Sequence, residues 1–133
     1  MREARHEDIE YFIQAGWDFC KQTPFTFDEE DYAAIVHKLI DDPDCIAVVD
    51  GDPVQCHSVA NLLPSFYNAG ETIAKVFTTW GDGGLNCFVE VERQAKERGA
   101  RFLIADSFIA PRIIRFYKRR DMYLTDSVFI KEL

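Results

Sequence analysis

Apolar residues recur at intervals of three and four in four segments of the chain, which is the period of an α-helix. Three of these segments carry end signals: Asp28 precedes the second, Gly99 follows the third and Pro111 stands in the first turn of the fourth. We therefore predict four helices, at about 6–20, 28–39, 85–98 and 109–120.

Runs rich in β-branched and aromatic residues separate these helices. Residues 45–50 and 53–62 flank Asp50-Gly51-Asp52, which predicts a hairpin. Further strands are expected at 2–4, 71–80, 101–106 and 122–133. The continuous apolar run at 101–106 is typical of a buried parallel strand.

The predicted order is β-α-α-β-β-β-α-β-α-β, an α/β fold with a mixed sheet in one domain spanning 1–133. A right-handed crossover through the third helix would make the strands at 71–80 and 101–106 parallel neighbours.

Composition narrows the class of protein. A chain of 133 residues with 47% hydrophobic and 14% aromatic residues is expected to fold. A net charge of −8 disfavours nucleic acid as a partner. Without a long apolar run or a signal peptide, we expect a cytoplasmic protein with no membrane contact. The four cysteines form no CxxC pair, so reduced thiols are expected and no metal site.

Gly81, Gly83 and Gly84 fall within four positions, between a predicted strand and a predicted helix. They could form a tight turn, with Asp82 or Asn86 capping the helix. Alternatively, they could let the backbone approach phosphate oxygens at the positive end of the helix dipole. Neither the GxGxxG pattern nor the P-loop pattern fits this loop.

In its context, the loop resembles the acetyl-CoA loop of the GNAT N-acetyltransferases, whose pattern is R/Q-x-x-G-x-G/A. REARHEDIE (2–10) resembles that family's R-x-A-x-x-x-D opening, QAKERGAR (94–101) a common end of its third helix, and FYKRRDMY (116–123) its F-Y-x-x-x-G-F. The resemblance covers nearly the whole chain and implies a GNAT-like acyl-CoA N-acyltransferase fold. Small phage-encoded members are of this size, so a divergent phage protein in the host cytoplasm is one expectation.

The resemblance implies transfer of an acetyl group from acetyl-CoA to an amine, by direct attack in a ternary complex and without a metal. Tyr117 would protonate the departing CoA thiolate. The cofactor-binding positions that it implies are Phe77, Thr78, Thr79, Gly81, Asp82, Gly83, Gly84, Leu85, Asn86, Ser107 and Phe116.

Three residues depart from the pattern. Thr79 stands where Arg or Gln is expected, Asp82 replaces the first glycine, and Asp121 replaces the glycine of the tyrosine motif. A carboxylate beside a phosphate costs about 1 kcal/mol per charge pair at 4 Å in water. Amide hydrogen bonds to an anion, at roughly 1.5–3 kcal/mol each, could outweigh that cost.

The alternative is a catalytically inactive GNAT-like binding protein, for example a phage protein that acts on a host partner. Tyr117 could equally be an aromatic residue that packs beside Phe116. The sequence leaves open the acceptor, a small-molecule or protein amine, and the general base, for which Glu71 and Asp106 are candidates. It also leaves open whether the final strand forms a dimer.

Overall fold

A computed structural model describes residues 1–105, 111–123 and 131 of the chain. The described elements follow in the order β1 (Arg2–Glu3), α1 (Ile9–Cys20), α2 (Glu29–Asp41), β2 (Cys45–Asp50), β3 (Cys56–Pro64), β4 (Thr72–Gly81), α3 (Gly84–Glu97), β5 (Ala100–Ala105) and α4 (Pro111–Lys118). A short 3-10 helix at His6–Asp8 precedes α1. The predicted order is confirmed through α4, whereas most of the predicted strand at 122–133 lies outside the described residues.

The strands form one sheet in the order β1-β2-β3-β4-β5. The first four are antiparallel to their neighbours, and β5 runs parallel to β4. Both the hairpin of β2 and β3 and the parallel neighbours β4 and β5 are therefore confirmed. The helix α3 makes the crossover that parallel strands require.

The helices cover both faces of the sheet, and alternation along each strand divides the core between them. On one face, α3 contributes Cys87, Phe88, Val91 and Ala95 to a buried cluster with residues of β2, β3 and β4. On the other, α1 and α2 contribute Phe12 and Val36 to a second cluster. In β3, Cys56 belongs to the first cluster and Val59 to the second. The mixed α/β architecture predicted from the sequence is thus observed.

The start of α1 is fixed by a buried carboxylate. Asp8 accepts hydrogen bonds from both terminal nitrogens of Arg2, at 2.7 and 2.8 Å, and from the backbone N–H of Arg5 at 2.8 Å. The hydrogen bonds from Arg2 hold the pKa of Asp8 below its ordinary value. Arg2 and Asp8 are the first and last positions of the R-x-A-x-x-x-D pattern, so the two residues of this pattern connect β1 to the start of α1.

Acidic residues begin α2 as the sequence predicts. The Asp28 carboxylate accepts the N–H of Asp31 at 2.9 Å, which satisfies one of the amides left unpaired in the first turn. Glu29, Glu30 and Asp31 then place negative charge at the positive end of the helix dipole. Among the described residues, no helix is long and apolar enough to cross a membrane.

The burial predicted for β5 is wrong on one face. Leu103 and Ala105 pack against the cluster under α3, but Phe102 and Ile104 expose 52% and 46% of their surface. A continuous apolar run shows that a strand can be buried on both faces, and it does not show that a helix covers each one. The face of the sheet that carries α1 and α2 therefore presents apolar side chains at β5.

Phe88 lies fully buried between α3 and the sheet, and the rings of Phe116 and Tyr117 contact it. Phe88→Ala should lower the free energy of unfolding by about 4 kcal/mol, because it leaves a cavity under α3 and α4. Urea denaturation measures this loss. The matched change Phe102→Ala on the exposed face of β5 should cost less than about 1.5 kcal/mol, and equal losses would contradict the assigned burial.

Candidate functional site

Strand β4 pairs with β5 in parallel over the first half of its length, and the last pair that the structure describes is Val76 with Ala105. On the other side, β4 stays paired with β3 as far as Gly81. Because Ala105 is the last described residue of β5, the pairing on that side of β4 is described no further than Val76. The stretch of β4 from Phe77 to Gly81 lies at the carboxyl end of this parallel pair, the usual position of ligand sites in such sheets.

Phe77 directly follows the last described pair of β4 with β5. The register with β3 passes from Val76 opposite Ala60 to Thr78 opposite Val59, so Phe77 is an extra residue in β4. Such a bulge bends the strand and increases its twist. The direction of β4 therefore changes at the point where its described pairing with β5 ends.

The loop after β4 is a sharp turn that two of its glycines make possible. Gly81 and Gly83 have φ angles of 88° and 91°, a region that L-residues with side chains rarely adopt. A Cβ on Gly81 would lie 2.1 Å from the carbonyl oxygen of Gln55, the residue before β3, and 2.8 Å from the Cα of Cys56. The glycines thus let β4 end against β3 and let α3 begin three residues later.

The predicted capping of α3 by Asp82 or Asn86 is wrong. Gly83 is the N-cap residue, and no side chain caps it. Asp82 precedes the cap and is exposed. Asn86 lies in the first turn, and its backbone N–H donates to the Gly83 carbonyl oxygen at 2.8 Å. A left-handed glycine at the cap places the Asp82 carboxylate before the helix rather than over its first amides.

The first turn of α3 contains no acidic residue, in contrast to the first turn of α2. The amides of Gly84 and Leu85 lie in this turn, where helix N–H groups lack an intrahelical acceptor. The partial positive charge of the helix dipole is therefore not offset within the turn. This end of α3 suits an anion, and the exposed Asp82 weakens that preference.

The Thr79 side chain lies on the α3 side of the sheet. Its hydroxyl lies 2.8 Å from the hydroxyl of Ser58 in β3. A Cβ on Gly84 would lie 3.3 Å from the Thr79 methyl group, so Thr79 also contacts the start of α3. Because its side chain is already engaged, Thr79 would offer a ligand its backbone alone.

Tyr117 and Phe116 lie on α4 and pack against α3. Their ring centroids are 5.2 and 5.8 Å from that of Phe88, and 5.7 Å from each other. Arg120, just beyond α4, donates to Glu92 of α3 at 2.6 and 2.8 Å. The packing alternative for Tyr117 is thus observed, while its proposed acid role remains a prediction. Ser107 and Asp106 lie outside the described residues.

The structure also contains a buried polar chain that the sequence analysis did not find. The Nδ1 atom of His57 lies 2.9 Å from the Tyr11 hydroxyl, and its Nε2 atom lies 3.0 Å from the Thr78 hydroxyl. Burial lowers the pKa of His57 to about 4, so its imidazole is neutral at neutral pH. The partners come from α1, β3 and β4, and sequence spacing does not reveal such contacts. A histidine in an inward-facing position of β3 was the available signal.

A surface cavity of about 490 Å³ lies at the α1 end of this chain. Its lining includes Tyr11, Arg2, Asp8 and Val54. The glycine loop does not line it, so this cavity and the start of α3 are separate places.

No family model and no curated protein matches the sequence. Solved structures match its fold over almost the full length of both chains. A transcriptional regulator from Bacillus halodurans C-125 has a TM-score of 0.80 and 17% identity, covering 99% of this chain and 97% of the other. A predicted acetyltransferase from Clostridium acetobutylicum, solved with acetyl-CoA, has a TM-score of 0.76 and 11% identity, covering 98% and 94%.

The third comparison names an activity. Glucosamine-6-phosphate N-acetyltransferase from Arabidopsis thaliana has a TM-score of 0.76 and 12% identity, with coverage of 98% and 95%. This chain has the GNAT acetyltransferase fold. At these identities, the likeness establishes the GNAT fold alone, so the chemistry has to be argued from the site.

Gly81 and Gly99 form a matched pair for testing the turn, because both have nearly the same positive φ, at 88° and 87°. Gly99→Ala should cost about 1 kcal/mol of stability, the strain of a left-handed residue, since no atom lies within 4 Å of the new Cβ. Gly81→Ala should cost at least about 2 kcal/mol more, because its Cβ meets the β3 backbone. Equal losses in thermal or urea unfolding would show that β4 does not end against Gln55.

The low pKa of His57 predicts a stability change in acid. The unfolded chain protonates this histidine near its ordinary pKa of 6.5, whereas the folded chain resists protonation down to about 4. The contribution is complete above about pH 6.5 and should fall by about 3 kcal/mol as the pH approaches 4. Urea titrations of wild type and His57→Gln between pH 7 and 4 measure it. A wild-type curve parallel to that of His57→Gln would refute it.

Proposed function

We propose that the protein transfers an acetyl group from acetyl-CoA to an amine. The observation that carries this proposal is the bulge that bends β4 directly after its last described pair with β5, beside a helix end suited to an anion. In this proposal the bend opens a gap between β4 and β5 beyond Val76. A thioester on a long, anionic carrier needs these two features together: an open strand edge for the arm and amides for the phosphates. The acetyl-CoA-bound structure from Clostridium acetobutylicum has the same fold, which supports this choice of donor.

In this proposal the backbone holds most of the donor. Amides of Phe77, Thr78 and Thr79 bind the pantetheine arm on the free edge of β4. Amides from Gly81 to Leu85 bind the pyrophosphate at the start of α3, because the left-handed glycines expose the backbone there, whereas the Asn86 N–H is already bonded to the Gly83 carbonyl. No metal is needed, since the helix dipole and the amides supply the positive potential.

The acceptor amine approaches from the face that carries α1 and α2. A donor whose phosphates lie at α3 and whose arm passes through the gap presents its acetyl group on the opposite face of the sheet. The net charge of −8 favours a cationic amine over an anionic one. The amine nitrogen attacks the thioester carbonyl, the C–S bond breaks, and Tyr117 donates its proton to the thiolate, with water then restoring the phenol.

The competing proposal is an inactive binding protein with the same fold. Asp82 at the anion site and the engagement of Thr79 with Ser58 favour it, because both reduce the contacts open to acetyl-CoA. The transcriptional regulator from Bacillus halodurans C-125 has this fold under a name other than acetyltransferase. The two proposals differ in whether acetyl-CoA binds and whether thiol is released.

Calorimetry with acetyl-CoA tests the donor site. We expect micromolar binding by the wild type and about fivefold tighter binding by Asp82→Asn, because one repulsive charge pair of about 1 kcal/mol is removed. Glu30→Gln changes the net charge by the same amount, from −8 to −7, on the exposed surface of α2.

Added salt should shrink the advantage of Asp82→Asn, because salt screens the repulsion. Identical gains in Asp82→Asn and Glu30→Gln would mean that net charge, not the loop, sets the affinity. Absence of binding at millimolar acetyl-CoA would overturn the proposal in favour of the inactive binding protein.

A further inference from the structure

We propose that Thr78, held by the buried pair His57 and Tyr11, accepts the proton that the acceptor amine loses during acetyl transfer. This inference rests on the proposed function and names the base that direct attack requires. Its basis is the unbroken hydrogen-bonded chain Thr78–His57–Tyr11, which begins on β4 directly after the Phe77 bulge and ends at Tyr11, a residue that lines a surface cavity.

Thr78 stands where the reaction would occur. It follows the Phe77 bulge, two residues beyond the last pairing of β4 with β5. Its hydroxyl bonds to His57, whose ring packs against Tyr11 and Phe12 of α1. The Thr78 side chain therefore lies on the α1 face, from which the amine approaches, and it is partly exposed.

His57 connects two hydroxyl groups through an imidazole that is itself shielded from bulk water. Only 2% of its surface is exposed, and both ring nitrogens have a hydroxyl partner within 3.0 Å. A neutral imidazole donates through one nitrogen and accepts through the other. It can thus receive a proton at Nε2 as it releases one from Nδ1, without carrying a charge in the apolar interior.

Tyr11 completes the path to solvent. It lines the cavity of about 490 Å³ that also borders the Arg2–Asp8 ion pair. Burial raises the pKa of Tyr11, so its phenol stays protonated and keeps a proton to donate. The chain therefore leads from the reacting nitrogen to water in this cavity.

For a neutral amine, each proton that moves in the step has a donor and an acceptor. The nitrogen attacks the thioester carbonyl and gives its proton to the Thr78 hydroxyl oxygen, whose own proton passes to Nε2 of His57. The Nδ1 proton passes to the Tyr11 oxygen, and the Tyr11 hydroxyl proton passes to water. The C–S bond breaks, and the sulfur takes its proton from Tyr117. The reverse shift restores the first tautomer once water has replaced the amide in the gap.

Thr78 is a catalytic residue in this scheme, and His57 and Tyr11 are positioning residues that act through it. The scheme predicts a loss of turnover without a loss of donor affinity, because the backbone of Thr78 holds the pantetheine arm and its hydroxyl holds the proton. If the hydrogen-bonded chain had only a structural role, breaking it would lower stability, weaken acetyl-CoA binding or leave both unchanged, without a specific loss of turnover.

Thr78→Val removes the hydroxyl and keeps the shape of the side chain. Thiol release from acetyl-CoA, with spermidine and a lysine-containing peptide as probe amines, should fall about 100-fold in kcat, the size of a general-base contribution. The acetyl-CoA dissociation constant should stay within about twofold of the wild-type value. Thr78→Ser keeps the hydroxyl and should recover most of the lost rate.

Tyr11→Phe removes the hydroxyl that passes the proton from His57 to water, and it should lower kcat about tenfold. The solvent deuterium isotope effect should also change, because fewer protons then move in the transition state. Tyr32→Phe is the matched control, since Tyr32 packs on Phe27 in the α1–α2 layer and does not contact His57. It should leave kcat and the isotope effect unchanged.

The outcomes separate the two proposals. Wild-type turnover equal to that of Thr78→Val would overturn the relay and leave acetyl transfer standing. Wild-type protein that binds acetyl-CoA and releases no thiol with either amine would overturn both. A loss of rate in Thr78→Val that Thr78→Ser does not restore would assign the residue to packing and overturn the relay alone.

Discussion

The bulge of β4 at Phe77 is the constraint on which the proposed site depends. On one edge, β4 stays bonded to β3 across the bulge and up to Gly81, and on the other edge the described pairing with β5 runs to Val76. Buried backbone groups without partners cost free energy, so the β5-side edge beyond the bulge has to bond to a segment of the chain, to water or to a ligand. The glycine loop sits at the end of this edge. A ligand that fits the edge therefore reaches the start of α3 without any further change in the backbone.

The two faces of the sheet carry different kinds of polar group. Under α3 the buried cluster is apolar, and the polar groups beside it are the Ser58–Thr79 hydroxyl pair and the helix end with its amides. Under α1 the layer includes the ion pair of the partly exposed Arg2 with the buried Asp8, and the hydrogen bonds of His57. A reaction located in the gap can draw anion binding from one face and proton handling from the other. The GNAT fold keeps these two demands apart because neighbouring residues of β4 point to opposite faces.

Local signals in the sequence were sufficient for most of the fold. The helix periods, the Asp28 cap and the hairpin at Gly51 predict elements that the structure confirms, since each depends on residues close together in the chain. The Phe77 bulge was not predictable, because nothing in ETIAKVFTTW distinguishes an extra residue from regular alternation. The exposure of Phe102 and the contacts of His57 depend on which distant helix covers each face. The close approach of Gly81 to Gln55 was also not predictable, because the sequence shows the glycine but not the backbone that it meets.

The departures of the loop from the GNAT pattern affect strength more than position. Thr79 replaces a long polar residue, and its side chain bonds to Ser58 instead of extending toward a ligand. Asp82 adds a charge before the helix and leaves the left-handed cap at Gly83 in place. Amide directions follow from the backbone, which the glycines and the contact with β3 determine. A site built on amides tolerates such substitutions, because they change the electrostatic potential at the anion while the hydrogen-bond donors stay where they are. The altered motif is therefore compatible with a donor site that is weaker and in the same place.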